Sequence, residues 1–555
     1  MISVSRIQGV ETEYALLDPA DPGADPEALA TKLLFTYARA LAAEGQPSQL
    51  HVPAATGRAL EAGAGTRFDY SGEAPGSDAR GFTHTNLPAE ARTNEGAGAA
   101  LTSAATRWVT RLTPFEAHYY RGSAIHGPNG ARLYVDHSHP EYAAPEALGP
   151  RAAMRYDLAG DRLMQRAAAD LRCVLVKNNA DGKGQAWGAH ESYLMSRATS
   201  WDLITATLLP FLVTRPIIGG AGRVGIGRRS EEPGFQIFAR ADFIEQETSL
   251  YTTRERPIIN TRDEPHASGN RWRRLHVITA DSSVLAPTIL LRLGSLSAVL
   301  SLIENHPEDA ADLAERFRLA DPVTAVRTFS YDPTLSATAP LAAGGQASAL
   351  QIQRAFLAAC RAHRCDAETR EVLGLWSEAL DALAIGPHAA ASLVQWCAKY
   401  ELLQRLRAKY SCGWDDPRIA AADLQFAMLD PAASLAAALQ RAGTIRRIID
   451  DEEIAAAELA APENTRAGGR AAFLAAYPDQ IWAASWTSLV VDSARPHLLR
   501  VTLSDPHHPT AAEARAAIAA TDSALAALTH LGLDVPPDPH TEGWDEGIYH
   551  EPKEE

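Results

Sequence analysis

The sequence predicts an α+β protein: a substantial sheet with helices on one side, followed by a small C-terminal domain. Three observations carry this. Short β-like segments recur at 10–16, 132–142, 173–179 and across 234–280. Long stretches of helical period occupy about 284–305 and 349–440. After residue 480 the pattern mixes short strands with one Ala-rich helix.

In chain order, "VETEYAL" (10–16) reads as a strand that carries Glu11 and Glu13 on one side, because residues two apart share a face. Two like charges on one face of a strand need a positive partner. "DPADPGADPEALATKLLFTYARALAAEG" gives a Pro-rich turn and an amphipathic helix. Residues 45–100 are rich in Gly, Ala, Pro and Thr and read as a mobile loop. Order returns with "GARLYVDHSHPEYAAPEA", then a helix at 157–172 and the strand "CVLVKNN". "DLITATLLPFLVTRPIIGG" reads as helix then turn. "GFQIFARADFIEQET", "RPIINTRDEP" and "RRLHVITAD" read as strands or strand ends. "AAPENTRAGGRAAF" (460–473) reads as a linker or mobile loop. "WTSLVVDS" and "HLLRVTL" are short strands, 510–531 is one helix, and the acidic tail 541–555 is disordered. The domain expectation is 1–460 with a flexible insertion at about 45–128, then 461–540, then the tail.

Composition narrows the function classes. The 555 residues suggest about two to four folding units, or one large enzyme domain with an appendage. A net charge of −16 argues against general binding to nucleic acid or an anionic membrane. No apolar run of membrane-spanning length and no signal peptide is read in the sequence. Five scattered cysteines without a CxxC pair predict a reduced, cytoplasmic protein. Cys360-x-x-His363-x-Cys365 has metal-like spacing, but it lies in a helical stretch and reads as helix surface.

The richest segment is "RLYVDHSHPEY" (132–142). As a strand, 132–136 puts Arg132, Tyr134 and Asp136 on one face and Leu133 and Val135 on the other. His137, His139 and Glu141 follow at the strand end, where Pro140 forces a turn. If this strand lies near 10–16, then Glu11, Glu13, Asp136 and Glu141 make a hard-oxygen cluster. Such a cluster suits Mg²⁺ with nucleotide phosphates better than zinc. Gly220, Gly222 and Gly225 spell GxGxxG, but no helical period follows, so the reading is a tight turn. His190 and Glu191 in "KNNADGKGQAWGAHESYL" and His266 in "INTRDEPHASGNRWRRLH" are candidate ligands or acid–base groups. Arg262, Arg271, Arg273 and Arg274 could neutralise phosphates or carboxylates.

Together "GVETEYAL", "NGARLYVDHSHPEYAAPE", "LVKNNADGKGQAWGAHESYL", "INTRDEPHASGNRWRRLHVI", "GGQASALQIQRAF" and "GWDDPRIAAADLQF" resemble the Pup ligase and Pup deamidase/depupylase family. That family is similar to glutamine synthetases and other carboxylate–amine ligases. The resemblance runs from residue 6 to about 505 and fails in parts of 31–128. It implies a glutamine synthetase-like curved antiparallel sheet backed by helices, plus a small C-terminal α/β domain. It also implies ATP and Mg²⁺ on the concave sheet, and as partner Pup or a Pup-like small acidic modifier with its conjugates. By resemblance, Glu11, Tyr134 and Glu141 match metal ligands, with Glu13 a further one. Asp136 matches the catalytic aspartate, and Arg132 and Trp486 match ATP contacts. His190, His266 and Arg262 are acid–base or phosphate candidates. Ala144 stands where the compared Pup ligases carry a nucleotide-contacting Thr.

Two features resemble the depupylase side of the family. "DHSHPEY" is similar to the shorter D-H-A-H-P-E-Y of depupylases, not to the D-V-G-S-H-P-E-Y of ligases. "RFDYSGEAPGSDARGF" (67–82) resembles their flexible insertion, whereas 107–128 matches neither subgroup. The expected activity is hydrolysis of the isopeptide bond between the Pup C-terminal Glu side chain and a target lysine, or deamidation of a C-terminal Gln. ATP is expected as a standing cofactor. A Pup ligase and a non-catalytic tag-binding paralogue are the alternatives.

Overall fold

In the computed structural model the described residues are 1–43, 67–68, 74, 76–84, 124–136, 138–181, 183–225, 233–252, 255–492 and 499–535. Most of the expected insertion at 45–128, most of 107–128, His137 and the tail 541–555 lie outside them.

The main sheet is built from β1 (Ile7–Glu13), β2 (Ala124–His126), β3 (Arg132–Asp136), β4 (His139–Ala143), β5 (Ala147–Leu148), β6 (Ala189–Ser196) and β7 (Trp272–Val277). Its order is β7-β6-β1-β4-β3-β2, with β5 also pairing β1, and every pairing is antiparallel. Period-2 alternation gives each strand two faces. Val10, Leu133, Val135, Tyr142, Tyr193, Leu275 and Val277 enter one apolar core. Helices α1 (Pro26–Ala43), α2 (Pro150–Asp170), α3 (Trp201–Thr214) and α4 (Ala286–Asn305) contribute to the same core. The opposite face of the sheet carries the polar alternates.

Polar groups fasten β1 to this helix layer. Thr12 Oγ1 donates to Asp157 Oδ1 at 2.9 Å, and Tyr14 OH donates to Asp161 Oδ1 at 2.8 Å. Lys177 Nζ donates to both Asp157 oxygens and to Asp161, each at 3.0 Å. Gly160 of α2 is required by close approach: a Cβ there would stand 2.4 Å from the Tyr142 ring. Glu191 also turns to the helices, where Arg215 donates at 2.6 Å and Arg292 lies at 3.0 Å. It is a buried structural anchor and not a group of the polar face.

Several expectations are corrected. The segment 460–473 is no linker: α5 (Arg466–Ala476) runs through it. Its Gly-Gly pair lowers helix propensity by ~1 kcal/mol per glycine relative to Ala, which hides the helix from sequence periodicity. Packing reverses that, since a Cβ on Gly469 would meet the Pro509 carbonyl oxygen at 2.1 Å. The helix expected at 157–172 starts earlier, with Pro150 in the first turn. The single helix at 510–531 is two, α6 (Ala511–Ala519) and α7 (Ala524–His530), because Ser523 caps a new start. Among the described residues one helix, α4, is in fact long and apolar enough to cross a membrane, and 94% of its apolar stretch is buried within the protein. The GxGxxG stretch is a turn leading into the strand Arg223–Gly225, with Gly222 at φ +74°.

Past residue 466 the strands β8 (Ile481–Ala484), β9 (Ser488–Val491) and β10 (Leu499–Thr502) pack with α5, α6 and α7 around a second apolar core including Phe473, Leu489, Val501 and Leu528. Arg466 and Arg470 reach from α5 to Glu146 at 2.8 and 2.7 Å. Glu146 precedes β5, so these ion pairs join the C-terminal elements to the main sheet.

Candidate functional site

The polar face of the sheet is ordered in rows by the strand register. Tyr134, Glu141 and Glu13 stand opposite one another across β3, β4 and β1. The adjacent row is Arg132, Ala143, Glu11 and His190, across β3, β4, β1 and β6. Asp136 pairs with His139 at the end of β3. Small Ala143 separates Arg132 from Glu11 and leaves space above the sheet.

The four carboxylates of the expected hard-oxygen cluster divide. Glu13, Asp136 and Glu141 place one oxygen each within 4.8 Å of one another. Glu11 instead groups with His190 and His276 on the same distance criterion. In the first group Tyr134 OH donates to Glu141, and Glu13 accepts from the Gly188 N–H at 2.9 Å. Burial pushes the Glu141 carboxyl well above the usual range, and the charges of Asp136, Glu13 and Glu11 add to this. Burial also raises the Tyr134 phenol, reinforced by Glu141. Three converging carboxylates, two of them buried, cannot all ionise without added positive charge. The donor set is all oxygen, which fits a hard divalent cation such as Mg²⁺.

Positive charge comes from below and beside the cluster. Arg240 is buried, with its guanidinium donating to the Ile278 and Ala280 carbonyls at 2.8 and 3.1 Å. Burial lowers its pKa, and the nearby Glu13 and Asp281 charges oppose that. Arg132 lies over the Tyr134 ring at 4.3 Å, close enough for a cation–π contact.

At the second group, His190 Nδ1 is 3.6 Å from Glu11 and its ring meets the His276 ring edge-on at 5.3 Å. Burial raises the Glu11 carboxyl, but the His190 hydrogen bond and the Arg274 charge beside it hold it below the usual range. Burial, with Arg274 beside it, pushes His276 well below the ordinary histidine value. His276 is therefore neutral at pH 7, and Arg274 is the standing positive charge. Arg274 Nη1 lies 3.2 Å from His276 Nδ1 and donates to Ser192 Oγ at 3.1 Å. Because a guanidinium only donates, His276 Nδ1 accepts and Nε2 carries the proton.

A cleft opens over this part of the sheet, lined by Gly9, Glu11, Ala144, His266, Arg274 and Trp486, among others. His266 sits at φ +45°, and its carbonyl accepts from Arg466 at 2.9 Å. Trp486 is backed by Arg470, whose guanidinium stands 5.2 Å from the indole. Arg262 approaches Glu264 at 3.7 Å, and Glu264 lies 3.8 Å from Arg274. Arg132 is not among the cleft's lining residues. His139 packs on Trp187 at 4.4 Å and bonds the Tyr14 carbonyl, a positioning role for the strand end. Arg273 lies against Trp201 and Arg271 is exposed beside Asp505, so neither joins the cleft.

Sequence reasoning missed His276, Arg240 and Glu146. His276 alternates with Arg274 along β7, so the period-2 pattern that exposed Arg132, Tyr134 and Asp136 was available for it too.

The Pup-ligase protein family model matches residues 6–490. A Pup deamidase/depupylase of Mycobacterium tuberculosis is 37% identical over 539 residues, covering 95% of this chain and 99% of the relative. A depupylase of Acidothermus cellulolyticus is 36% identical over 91% of this chain and 95% of its own. A Pup–protein ligase of Micrococcus luteus is 40% identical, but over 66% of this chain and 83% of its own. Among solved structures, the ligase PafA in complex with Pup superposes with a TM-score of 0.69 at 27% identity, covering 99% of both chains. PafA in complex with ADP gives 0.66 at 32% identity over 76% of this chain and 95% of that one. With the family model matching most of its length and relatives above 30% identical along nearly all of it, the chain belongs to the Pup-ligase protein family.

Proposed function

We propose that the chain is an ATP- and Mg²⁺-dependent depupylase and Pup deamidase, hydrolysing the isopeptide bond between the C-terminal Glu side chain of Pup and a target lysine. One observation carries the choice of hydrolase over ligase. The depupylase of M. tuberculosis aligns over 95% of this chain, whereas the M. luteus ligase aligns over 66%. The "DHSHPEY" spacing supports the same reading. The partners are Pup, or a Pup-like small acidic modifier, and its conjugated proteins. The compartment is the cytoplasm, in keeping with five free cysteines.

In this reading Glu13 and Glu141 hold Mg²⁺, with Glu11 and Tyr134 completing the wall and Trp486 and Arg132 contacting ATP. When bound, Mg²⁺ would polarise the scissile carbonyl and offset the charge that develops on its oxygen. The residues of the chain then do the following. Tyr134 fixes Glu141, the Gly188 N–H fixes Glu13, and Arg274 offsets the Glu11 charge on the other side of the cleft. His266 flanks the cleft as a phosphate contact, Arg262 stands behind it through Glu264 as a second phosphate candidate, and His190 and His276 group with Glu11 at its edge. Asp136, half-buried at the strand end, either takes a proton from water or attacks the carbonyl itself. In both routes a C–O bond forms and the C–N bond breaks. In the base route the departing lysine amine takes up the proton that water gave to Asp136; in the nucleophile route the amine leaves with a proton drawn from solvent, and water then hydrolyses the acyl–Asp136 anhydride, its oxygen joining the Pup carbonyl carbon as the bond from that carbon to the Asp136 oxygen breaks.

The test incubates purified protein with ATP, Mg²⁺ and a Pup-conjugated protein. Release of free Pup and intact substrate without stoichiometric ADP is expected. Failure to release substrate, in a preparation that binds ATP, refutes the reading. Conjugate formation with ADP released in step would establish the ligase instead.

A further inference from the structure

Glu264 is a buried carboxylate with no place yet in the chemistry of the cleft. Pro265 and His266, which follow it, line the cleft, as does Arg274, whereas Glu264 itself does not. Its side chain nevertheless meets three groups from separate parts of the chain. Oε1 accepts from the Ala74 N–H at 2.9 Å. Oε2 stands 3.7 Å from Arg262 Nη1 and 3.8 Å from Arg274 Nη2. The Glu264 backbone carbonyl also accepts from Arg274 Nε at 2.8 Å. The Arg274 guanidinium is therefore held from two sides, by Glu264 on one and by Ser192 and His276 on the other.

The backbone that carries Glu264 is fixed in turn. The Asp263 N–H donates to the Ser77 carbonyl at 2.9 Å, and the Ala79 N–H donates to the Thr261 carbonyl at 2.8 Å. Thr261 Oγ1 donates to the buried Asp78 carboxylate at 2.8 Å. Residues 76–84 thus brace 261–263 from outside the cleft. We propose that Glu264 is a positioning residue for the bound nucleotide. It touches no ligand, and it sets Arg274 at the cleft and Arg262 behind it as two fixed positive charges for phosphate oxygens. This rests on the assignment of the cleft to ATP. Two guanidiniums share the space because one carboxylate lies between them. The other carboxylate beside Arg274 is Glu11. Without the Glu264 charge Arg274 turns to Glu11, where it is neutralised and draws Glu11 from its place in the cleft wall.

The test measures ATP affinity with Mg²⁺ by calorimetry for full-length wild type, Glu264→Gln, Arg274→Gln and the double variant. Gln keeps an oxygen for the Ala74 N–H and removes only the charge. Charge alone predicts tighter ATP binding in E264Q, because a negative neighbour of the phosphates is gone; positioning predicts the opposite. E264Q is expected to bind ATP about 3- to 30-fold more weakly. Most of that loss should vanish in the R274Q background, whereas a merely structural role costs the same in both backgrounds. The ATP concentration for half-maximal turnover should rise in E264Q, with turnover at saturating ATP within about threefold of wild type. Thermal melts report that each variant is folded, and Arg262→Gln takes the place of R274Q in the cycle if R274Q is not. Unchanged or tighter ATP binding in E264Q, or an equal loss in both backgrounds, overturns the proposal while the cleft assignment stands. ATP binding by R274Q as tight as by wild type overturns the cleft assignment and the proposal with it. A protein that binds ATP but releases no Pup refutes the depupylase reading, and the binding cycle then decides on Glu264 alone.

Discussion

Lys177→Met tests how β1 is held in place beneath the candidate site. The ammonium is fully buried between Asp157 and Asp161, 3.0 Å from each. These carboxylates in turn accept from Thr12 and Tyr14 at the end of β1. Removing one partner of a buried ion pair costs ~3–5 kcal/mol. A cooperative unit of about 450 residues has an unfolding entropy of ~0.9 kcal/mol/K, taking ~2.1 cal/mol/K per residue. The loss therefore appears as a fall in Tm of about 3–5 °C at pH 7.5. Burial, opposed by Lys177 and reinforced by Asp157, raises the Asp161 carboxyl to about 7. That is above its unfolded value near ~3.9, so the native state holds an extra proton between those pH values. The stability tied to that proton is fully present below the unfolded value and is lost as pH rises through about 7. Without the lysine its opposing charge is gone, and the Asp161 carboxyl keeps its proton to higher pH. Above about pH 7 the variant's stability therefore goes on falling by ~1.4 kcal/mol per unit where wild type has lost this dependence. Its deficit should grow by ~2 kcal/mol, about 2 °C, between pH 7.5 and 9. Differential scanning fluorimetry at the two pH values reads this out. An unchanged Tm at pH 7.5, or the same deficit at both pH values, refutes the account of this network.

Other expected outcomes follow from the same geometry. Asp136→Asn should lower Pup release by ~10²–10⁴-fold, with ATP affinity within about threefold of wild type, measured by gel assay and fluorescent-nucleotide titration. Glu141→Gln removes one charge from the three-carboxylate group. It should raise the Mg²⁺ concentration needed for half-maximal turnover, read from activity against Mg²⁺ at fixed ATP. Gly469→Ala should destabilise by ~1–3 kcal/mol although Ala is the better helix former, because its Cβ would overlap the Pro509 carbonyl; a stabilised variant in thermal melts would contradict the packing of α5. Arg466→Lys should not rescue Arg466→Met, since Nε and Nη2 both donate to Glu146 Oε1 while Nη1 reaches the Leu503 carbonyl; limited proteolysis after residue 460 compares the two.

How much of this was legible in the sequence depends on whether a property is local. The faces of β1 and β3 were readable from residue types alone. Leu133 and Val135 had to enter a core, so Arg132, Tyr134 and Asp136 had to face away from it. Glu11 and Glu13 share a face for the same reason. The helix Arg466–Ala476 was not readable, because its two glycines make sense only against Pro462 and Pro509. Glu191 looked like a partner of His190, yet adjacent strand residues point oppositely, and Arg215 and Arg292 take it on the helix side.

The division of the carboxylates shows where local reasoning stops. Two strands with acidic residues on their polar faces can pair in more than one register, and a shift by two residues leaves every side chain on its own face. In the register adopted, Glu13 lies opposite Glu141, and Glu11 lies opposite Ala143 and His190. At ~3.4 Å per residue this sets Glu11 ~7 Å along β1 from Glu13, so the two glutamates enter different rows of the polar face. A two-residue slip of β1 against β4 would bring Glu11 opposite Glu141 and Glu13 opposite His139 at the start of β4. The Thr12 and Tyr14 side-chain bonds to α2, and the bond from the Tyr14 N–H to the Pro140 carbonyl, hold β1 against that slip. Register, carried by residues that touch neither nucleotide nor metal, therefore decides which glutamate belongs to the oxygen cluster and which to the histidine wall.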